Sequence, residues 1–228
     1  MRAILASADY YQGFLPNAGN GKRVQRYPEE WAAALREMAG LGAEILLPAH
    51  GEAIAEASQI RTNLLVLAEA LQHIVDHTIA GLNAGLRQDQ IYRSVRLPEH
   101  LASDPTLRVQ YVSPSDISKM VIRRYTGWWD DIPSHWTPAP LELRAREIVG
   151  LAGGMEKLAA RARELAQTDL RLACHLADYA LEADPGNSRV REIVAGIYEK
   201  RAASETSLMA INLFRSAAAY ARAGRPFV

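Results

Sequence analysis

The run IRTNLLVLAEALQHIVDHTIAG, residues 60–81, decides how most of this chain folds. Ile60, Leu64, Leu67, Leu71, Ile74 and Ile79 recur at steps of mostly three or four, which places them on one face of a long helix. That helix is expected to end between Gly81 and Gly85. Downstream the helical pattern continues. A short helix is expected from Gln88 to Arg96, closed by Leu97-Pro98. Ser115 is expected to cap a helix carrying Ile117, Val121 and Tyr125 and ending at Gly127. From Gly127 to Pro140 runs an irregular segment that holds Trp128, Trp129 and Trp136. After Gly153-Gly154, four more helices are expected at about 155–166, 169–183, 187–201 and 206–222. The second of these carries Ala173, Ala177 and Ala180, with Pro185 after it. This spacing matches the back half of a tetratricopeptide unit, in which small residues let two helices pack closely; the front half lacks the expected aromatic.

Upstream of residue 56 the pattern changes. Ala3-Ile4-Leu5-Ala6 is a short apolar run, read as a strand, and Asp9 follows it. Pro16 to Arg23 is dense in turn formers and reads as a polar loop. Pro28-Glu29-Glu30 opens a helix, because Pro suits the first turn and acids suit the positive end of the helix dipole. Trp31, Leu35 and Met38 keep helical spacing until Gly40 or Gly42. Glu44 to Pro48 reads as a second strand that delivers Ala49-His50-Gly51 at its end. Strand, loop, helix, strand is an α/β pattern, yet two strands are few for a sheet. This segment is therefore expected to complete a larger one.

Composition bounds the function. A chain of 228 residues is long enough to bury a core without disulfides or metals. Apolar residues are 49% and charged residues 23%, as in ordinary globular proteins. Lys plus Arg and Asp plus Glu are both 26, which argues against a dedicated nucleic-acid or anionic-membrane binder. Cys174 is the single cysteine, so neither a disulfide framework nor a thiolate zinc cluster is expected. No apolar run reaches the ~18 residues of a membrane span. The first residues do not read as a secretory signal, so a cytoplasmic location is expected, or a periplasmic one for part of a longer precursor.

Candidate chemistry concentrates near the two strands. His50 lies where an α/β sheet presents ligands, at a strand's carboxyl end, and an imidazole there suits zinc or iron. It reads equally as a loop histidine making one hydrogen bond. Asp9 follows the other strand; a carboxylate there can bridge two metal ions, or simply cap a turn. Asn17 to Arg23 contains glycine and basic residues and can hold an oxyanion. His73 and His77 flank Asp76 at one-turn spacing, in the manner of an inverted zincin motif. With Asp in place of Glu and no third ligand evident, they read better as surface or interface histidines. The tryptophan-rich segment suits either an apolar substrate channel or a packing plug or subunit interface. Cys174, among Leu172, Ala173 and Leu176, reads as structural. No nucleophile elbow, phosphate loop or dinucleotide fingerprint is present, and no catalytic nucleophile or general base is assigned.

Several motifs then acquire a common meaning. Leu47-Pro48-Ala49-His50-Gly51, Asp76-His77-Thr78, Asn83-Ala84-Gly85-Leu86, Leu97-Pro98-Glu99, Tyr125-Thr126-Gly127-Trp128-Trp129-Asp130 and Leu151-Ala152-Gly153-Gly154 closely resemble the alkyl sulfatases of the metallo-β-lactamase superfamily. The resemblance implies a mainly α fold. Residues 56–228 would form the helical dimerisation domain, with tetratricopeptide-like helix pairs. Residues 1–55 would be the C-terminal portion of a metallo-β-lactamase-like α/β domain, completing its sheet. It further implies sulfate ester hydrolysis at a two-zinc site, with Asp9 (usually Glu in that family) and His50 as metal ligands. Asn17, Lys22 and Arg23 would then contact the sulfate, and the chain would pair with itself as a homodimer. No metal ligand is implied at His73 or His77.

One departure shapes the expected function. The family's main zinc ligands come from a His-x-His-x-Asp-His motif. The histidines here are His50, His73, His77, His100, His135 and His175, and no two lie two residues apart. A two-zinc site takes about seven or eight ligands, of which two are assigned here. The expectation is therefore a zinc-dependent hydrolase only when assembled with the half bearing that motif, from another polypeptide or a further segment. The alternatives are a non-catalytic helical dimerisation or scaffold module, or a metallo-β-lactamase-fold hydrolase of another ester.

Overall fold

The chain begins with two strands separated by a helix. β1 (Ile4–Ala8), α1 (Pro28–Gly40) and β2 (Ile45–Pro48) form a β-α-β arrangement in which the strands pair parallel, Ile4 opposite Ile45 and Ala8 opposite Pro48. Pro28 starts α1 at its first turn, and Glu29 and Glu30 follow it. The computed structural model describes residues 2–225 and Phe227. By packing, the chain divides into two compact units, Met1–Asp131 and Ile132–Val228.

In the first unit the organising element is α2 (Ala57–Asn83), and the apolar periodicity is the reason for it. Ile60, Leu64, Leu67, Leu71 and Ile74 are buried, and α1 lies along this helix. Gly85, in the left-handed region at φ 70°, ends the helix, and the Leu86 amide returns to the Gly81 carbonyl at 3.1 Å. Gly81 also lets α3 (Gln88–Ser94) approach, since a Cβ there would lie 2.8 Å from Ile91 Cγ1. A short helix α4 (Glu99–Ala102) and a 3₁₀ turn, Pro105–Leu107, lead to α5 (Pro114–Thr126), which packs on α2 and α3. A buried hydroxyl pair, Thr78 Oγ1 and Ser118 Oγ at 2.8 Å, joins α2 to α5.

The expected cap of α5 needs correction. Its N-cap is Ser113, not Ser115. Ser113 Oγ accepts from the Asp116 amide at 3.3 Å, the Ser113 amide donates to Asp116 Oδ2 at 3.0 Å, and Pro114 takes the first helical position. Reciprocal capping with a proline at the first turn outcompetes a cap two residues later.

The second unit is all helical among its described residues. α6 (Leu141–Leu151), α7 (Met155–Leu165), α8 (Leu170–Ala183), α9 (Ser188–Ala203) and α10 (Leu208–Arg222) follow one another. Asp169, Asn187 and Ser207 cap α8, α9 and α10 through their side chains. The core is built largely of alanine: Ala173, Ala177 and Ala180 of α8 are fully buried among α6, α7 and α9. The molecule is thus mainly helical with a two-stranded sheet at its N-terminus, as expected. Helix α6, in a stretch for which the apolar pattern predicts no element, is an addition. Among the described residues, no helix is long and apolar enough to cross a membrane.

Candidate functional site

The two strand ends meet. β1 is irregular between Ala6 and Ala8, and Ala8 adopts a left-handed backbone at φ 47°, unfavourable for a residue with a Cβ. The Ala49 amide donates to the Ala8 carbonyl at 3.0 Å and holds this bend against the end of β2. Asp9 and His50 are the residues that follow Ala8 and Ala49. The result is His50 Nε2 at 3.3 Å from Asp9 Oδ1, which also accepts from Gln12 Nε2 at 2.8 Å. Gly51, at φ 92°, turns the chain away immediately after His50.

This pair suits a metal in chemistry and spacing. Imidazole nitrogen with carboxylate oxygen is a zinc donor set. Two such ligands on one tetrahedral ion, each about 2.0–2.1 Å away, stand about 3.4 Å apart. The pair supplies part of a coordination shell: among the described residues, no group of three or more His, Cys, Asp or Glu side chains converges. Asp9 and His50 are both largely exposed.

Asp9 and His50 open onto a cavity of about 630 Å³, within the range of small-molecule sites. Its walls include Tyr10, Phe14, Asn17, Gln25, Arg26, Tyr27, Glu30, Trp31 and Tyr111. The Trp31 indole N–H donates to the Tyr10 carbonyl at 3.0 Å, and the two rings pack with centroids 5.2 Å apart. Arg26 Nη1 donates to the Asn17 carbonyl. Gln25 Nε2 donates to the Met120 carbonyl at 2.9 Å, tying this wall to α5. Glu30 is paired with Arg124 at 2.9 Å. Beneath the loop, Asn63 Nδ2 donates to the Tyr11 hydroxyl at 2.9 Å, and burial pushes that phenol's pKa up.

The first half of the segment expected to be a polar loop is largely buried, with the residue before it. Leu15, Pro16, Ala18, Gly19 and Asn20 are covered, and the Leu15 amide donates to the Arg108 carbonyl at 3.2 Å. Gly19 lies directly on the first turn of α5, where a Cβ would come within 2.4 Å of the Asp116 backbone. This contact sets the position of Asn17. Its Oδ1 atom is buried without a hydrogen-bond partner among the described residues.

Of the sequence-derived site residues, the fold brings Asp9, His50 and Asn17 to one cavity. Lys22 and Arg23 are exposed on the turn beyond Asn20 and are not among the lining residues. Arg26 is, and the sequence reading does not single it out: the only local signal is its place just ahead of Pro28 and α1. The Tyr10–Trp31 pair is likewise invisible in the spacing.

The remaining candidates have structural partners. His73 Nε2 faces the Arg96 carbonyl at 2.8 Å and His77 Nε2 faces Ser94 Oγ at 3.0 Å, so both clasp the segment after α2. Cys174 is half-buried, and burial pushes its thiol up to about 11, as befits an unreactive residue. Trp128 and Trp136 are exposed, and none of the three clustered tryptophans lines this cavity.

Comparison with known proteins gives the chain a family. The chain is 29% identical over 201 residues to a linear primary-alkylsulfatase of Pseudomonas sp. (strain ATCC 19151), covering 86% of this chain and 38% of that protein. It is 27% identical over 175 residues to the alkyl/aryl-sulfatase BDS1 of Saccharomyces cerevisiae, covering 75% of this chain and 27% of that one. The chain therefore spans less than two fifths of the length of either relative. Its fold matches the solved structure of the stereoselective inverting sec-alkylsulfatase Pisa1 from Pseudomonas sp., with a TM-score of 0.91 at 23% identity, over 98% of this chain and 36% of that one. A family model described as alkyl sulfatase dimerisation matches residues 87–224, more than half of the sequence. The chain belongs to the alkyl sulfatase dimerisation family.

Proposed function

We propose that this chain is part of a zinc-dependent hydrolase of alkyl sulfate esters, to which it contributes two metal ligands, one wall of the substrate cavity and a self-pairing helical domain. In this reading residues 1–55 belong to a metallo-β-lactamase-like α/β domain and residues 56–228 to the dimerisation domain. The remaining ligands, in a His-x-His-x-Asp-His segment, come from another polypeptide or a further segment. The carrying observation is the 3.3 Å approach of His50 and Asp9 at adjacent strand ends, on the rim of a cavity of substrate size.

Each residue then has a defined task. His50 offers Nε2 and Asp9 offers Oδ1 to the metal, with Gln12 holding the carboxylate in place. The bound metal supplies a Lewis acid that polarises water or the ester. The bend at Ala8 aims Asp9, and the aromatic walls provide an apolar surface for the carbon chain. The open sheet supports an additional partner: among the described residues β1 pairs with β2 alone, so one edge carries unpaired backbone groups.

The test is purification of the native chain, followed by His50→Ala in whatever assembly is recovered. A co-purifying His-x-His-x-Asp-His segment, with zinc content and alkyl sulfate hydrolysis that both fall in the variant, is the expected result. Unchanged zinc content and rate would sink the site assignment. A chain that elutes alone, dimeric and free of zinc would instead identify a scaffold module.

A further inference from the structure

We infer that Arg124, which is not among the residues lining the cavity, governs the charge of the cavity wall by holding the Glu30 carboxylate against α5. It is a positioning residue that acts through Glu30. Helix α1 starts without a cap of its own, because the Tyr27 side chain makes no capping hydrogen bond. Arg124, in the last turn of α5, takes hold of that end. Its Nη1 lies 2.6 Å from Glu29 Oε1 and 2.9 Å from Glu30 Oε1. The guanidinium sits over the Tyr27 ring at 4.8 Å and the Tyr125 ring at 5.7 Å. The Tyr125 hydroxyl also donates to Glu29 Oε1, at 3.2 Å. Thus α5 grips α1 by its first turn, and that turn brings Tyr27, Glu30 and Trp31 to the cavity.

The knot is a charge balance. The Glu29 side chain is largely buried, and its Oε2 has no hydrogen-bond partner among the described residues. Glu30 is more exposed and lines the cavity. Two carboxylates therefore share one guanidinium and the positive end of the α1 dipole. Without Arg124, Glu29 would be a buried charge facing only a neutral phenol. Glu30 would become an unpaired carboxylate in a wall that already holds Asp9. An anionic ester, the substrate class of the sulfate-ester reading on which this consequence rests, would then be repelled. Arg124 keeps the cavity open to anions without touching one.

Trp31, in the same wall, reports that charge directly. With Trp128→Phe, Trp129→Phe and Trp136→Phe in the full chain, it is the only tryptophan left. Its fluorescence is quenched by iodide, by caesium and by neutral acrylamide at constant ionic strength. Arg124→Gln should lower the iodide quenching constant by about a third and raise the caesium constant similarly, with acrylamide quenching and the far-ultraviolet spectrum unchanged. Adding Glu30→Gln should restore the iodide value, and Arg124→Lys should stay near the parent. A parallel rise for all three quenchers would reduce Arg124 to a structural tie and overturn the inference. Unchanged quenching, or no recovery with Glu30→Gln, would overturn it too. In the assembled hydrolase, Arg124→Gln should raise KM for octyl sulfate about threefold with kcat little changed, and Glu30→Gln should reverse the rise. An assembly that hydrolyses no sulfate ester would end the sulfate-ester reading, while the quenching of Trp31 still decides the role of Arg124.

Discussion

The two compact units solve the same packing problem with opposite materials. In Met1–Asp131 the interior is made of large side chains: Leu64, Leu67, Leu71, Ile74, Ile91 and Ile117 are all fully buried. In Ile132–Val228 the interior is dominated by alanine, including Ala159, Ala162, Ala173, Ala177, Ala180, Ala195 and Ala218. Large side chains hold helix axes apart, whereas alanines let backbones close on one another. A cavity of about 630 Å³ lies beside the sheet of the first unit, lined by loop and α1 residues rather than by that core, and a cleft of about 340 Å³ lies between α7 and α9 in the second. The lesson is that helix spacing follows side-chain size within each unit, while the cavity of the first is built outside its core, from the loops around the sheet. The Ala8 bend and the Asp9–His50 pair both lie in the first.

If this contrast is real, the two interiors should fail in opposite directions. Leu71→Ala, on α2 at a site with no solvent exposure, should cost about 3 kcal/mol, the usual loss for a buried leucine and its cavity. A urea midpoint that barely moves would mean that the α2 face closes around the gap, and that large side chains are not what holds this unit. In the second unit the sensitive change is the reverse. Ala177→Leu adds three carbons where α6, α7 and α9 converge on α8 and should cost about 2 kcal/mol through strained packing. Denaturation read by far-ultraviolet circular dichroism checks it. A stabilised variant would show that the alanine interior contains unfilled space, and the contrast would lose its basis.

Legibility in the sequence followed the same division. The helices with a continuous apolar stripe, α2, α8, α9 and α10, are readable to within a few residues, because burial on one face writes the helical period into the side chains. Helix α6 is not readable, since Ala145 is its only buried residue and Leu141, Leu143 and Leu151 are exposed. A helix with no dominant buried face leaves no period. The placement of the candidate residues was legible where the backbone decides it, with Asp9 and His50 side by side after short strands. It was illegible where tertiary contact decides: the turn formers around Asn17 imply an exposed loop, while Gly19 docks that loop on the Asp116 backbone. Arg26 reaches the cavity through the same folding of the loop, so nothing in its immediate neighbours announces it.

That docking contact suggests the smallest and most local way to sharpen the comparison. Ser113 caps α5 and at the same time shapes the turn on which Gly19 rests, since its Oγ accepts from the Asp116 amide at 3.3 Å and also donates to Asp116 Oδ2 at 2.8 Å. Ser113→Ala removes both bonds but keeps the Ser113 amide contact to the Asp116 carboxylate, so a loss of about 1 kcal/mol is expected. Ser113→Thr should restore most of it, because threonine also accepts from the helix's first turn. If alanine costs nothing, the backbone half of the capping box suffices, and the contact of Gly19 with the α5 backbone does not depend on the Ser113 hydroxyl. If it costs the expected amount and threonine rescues it, the turn on which Gly19 docks is held in part by a single hydroxyl, and the first unit's cavity is shaped by polar geometry as well as by its large apolar core.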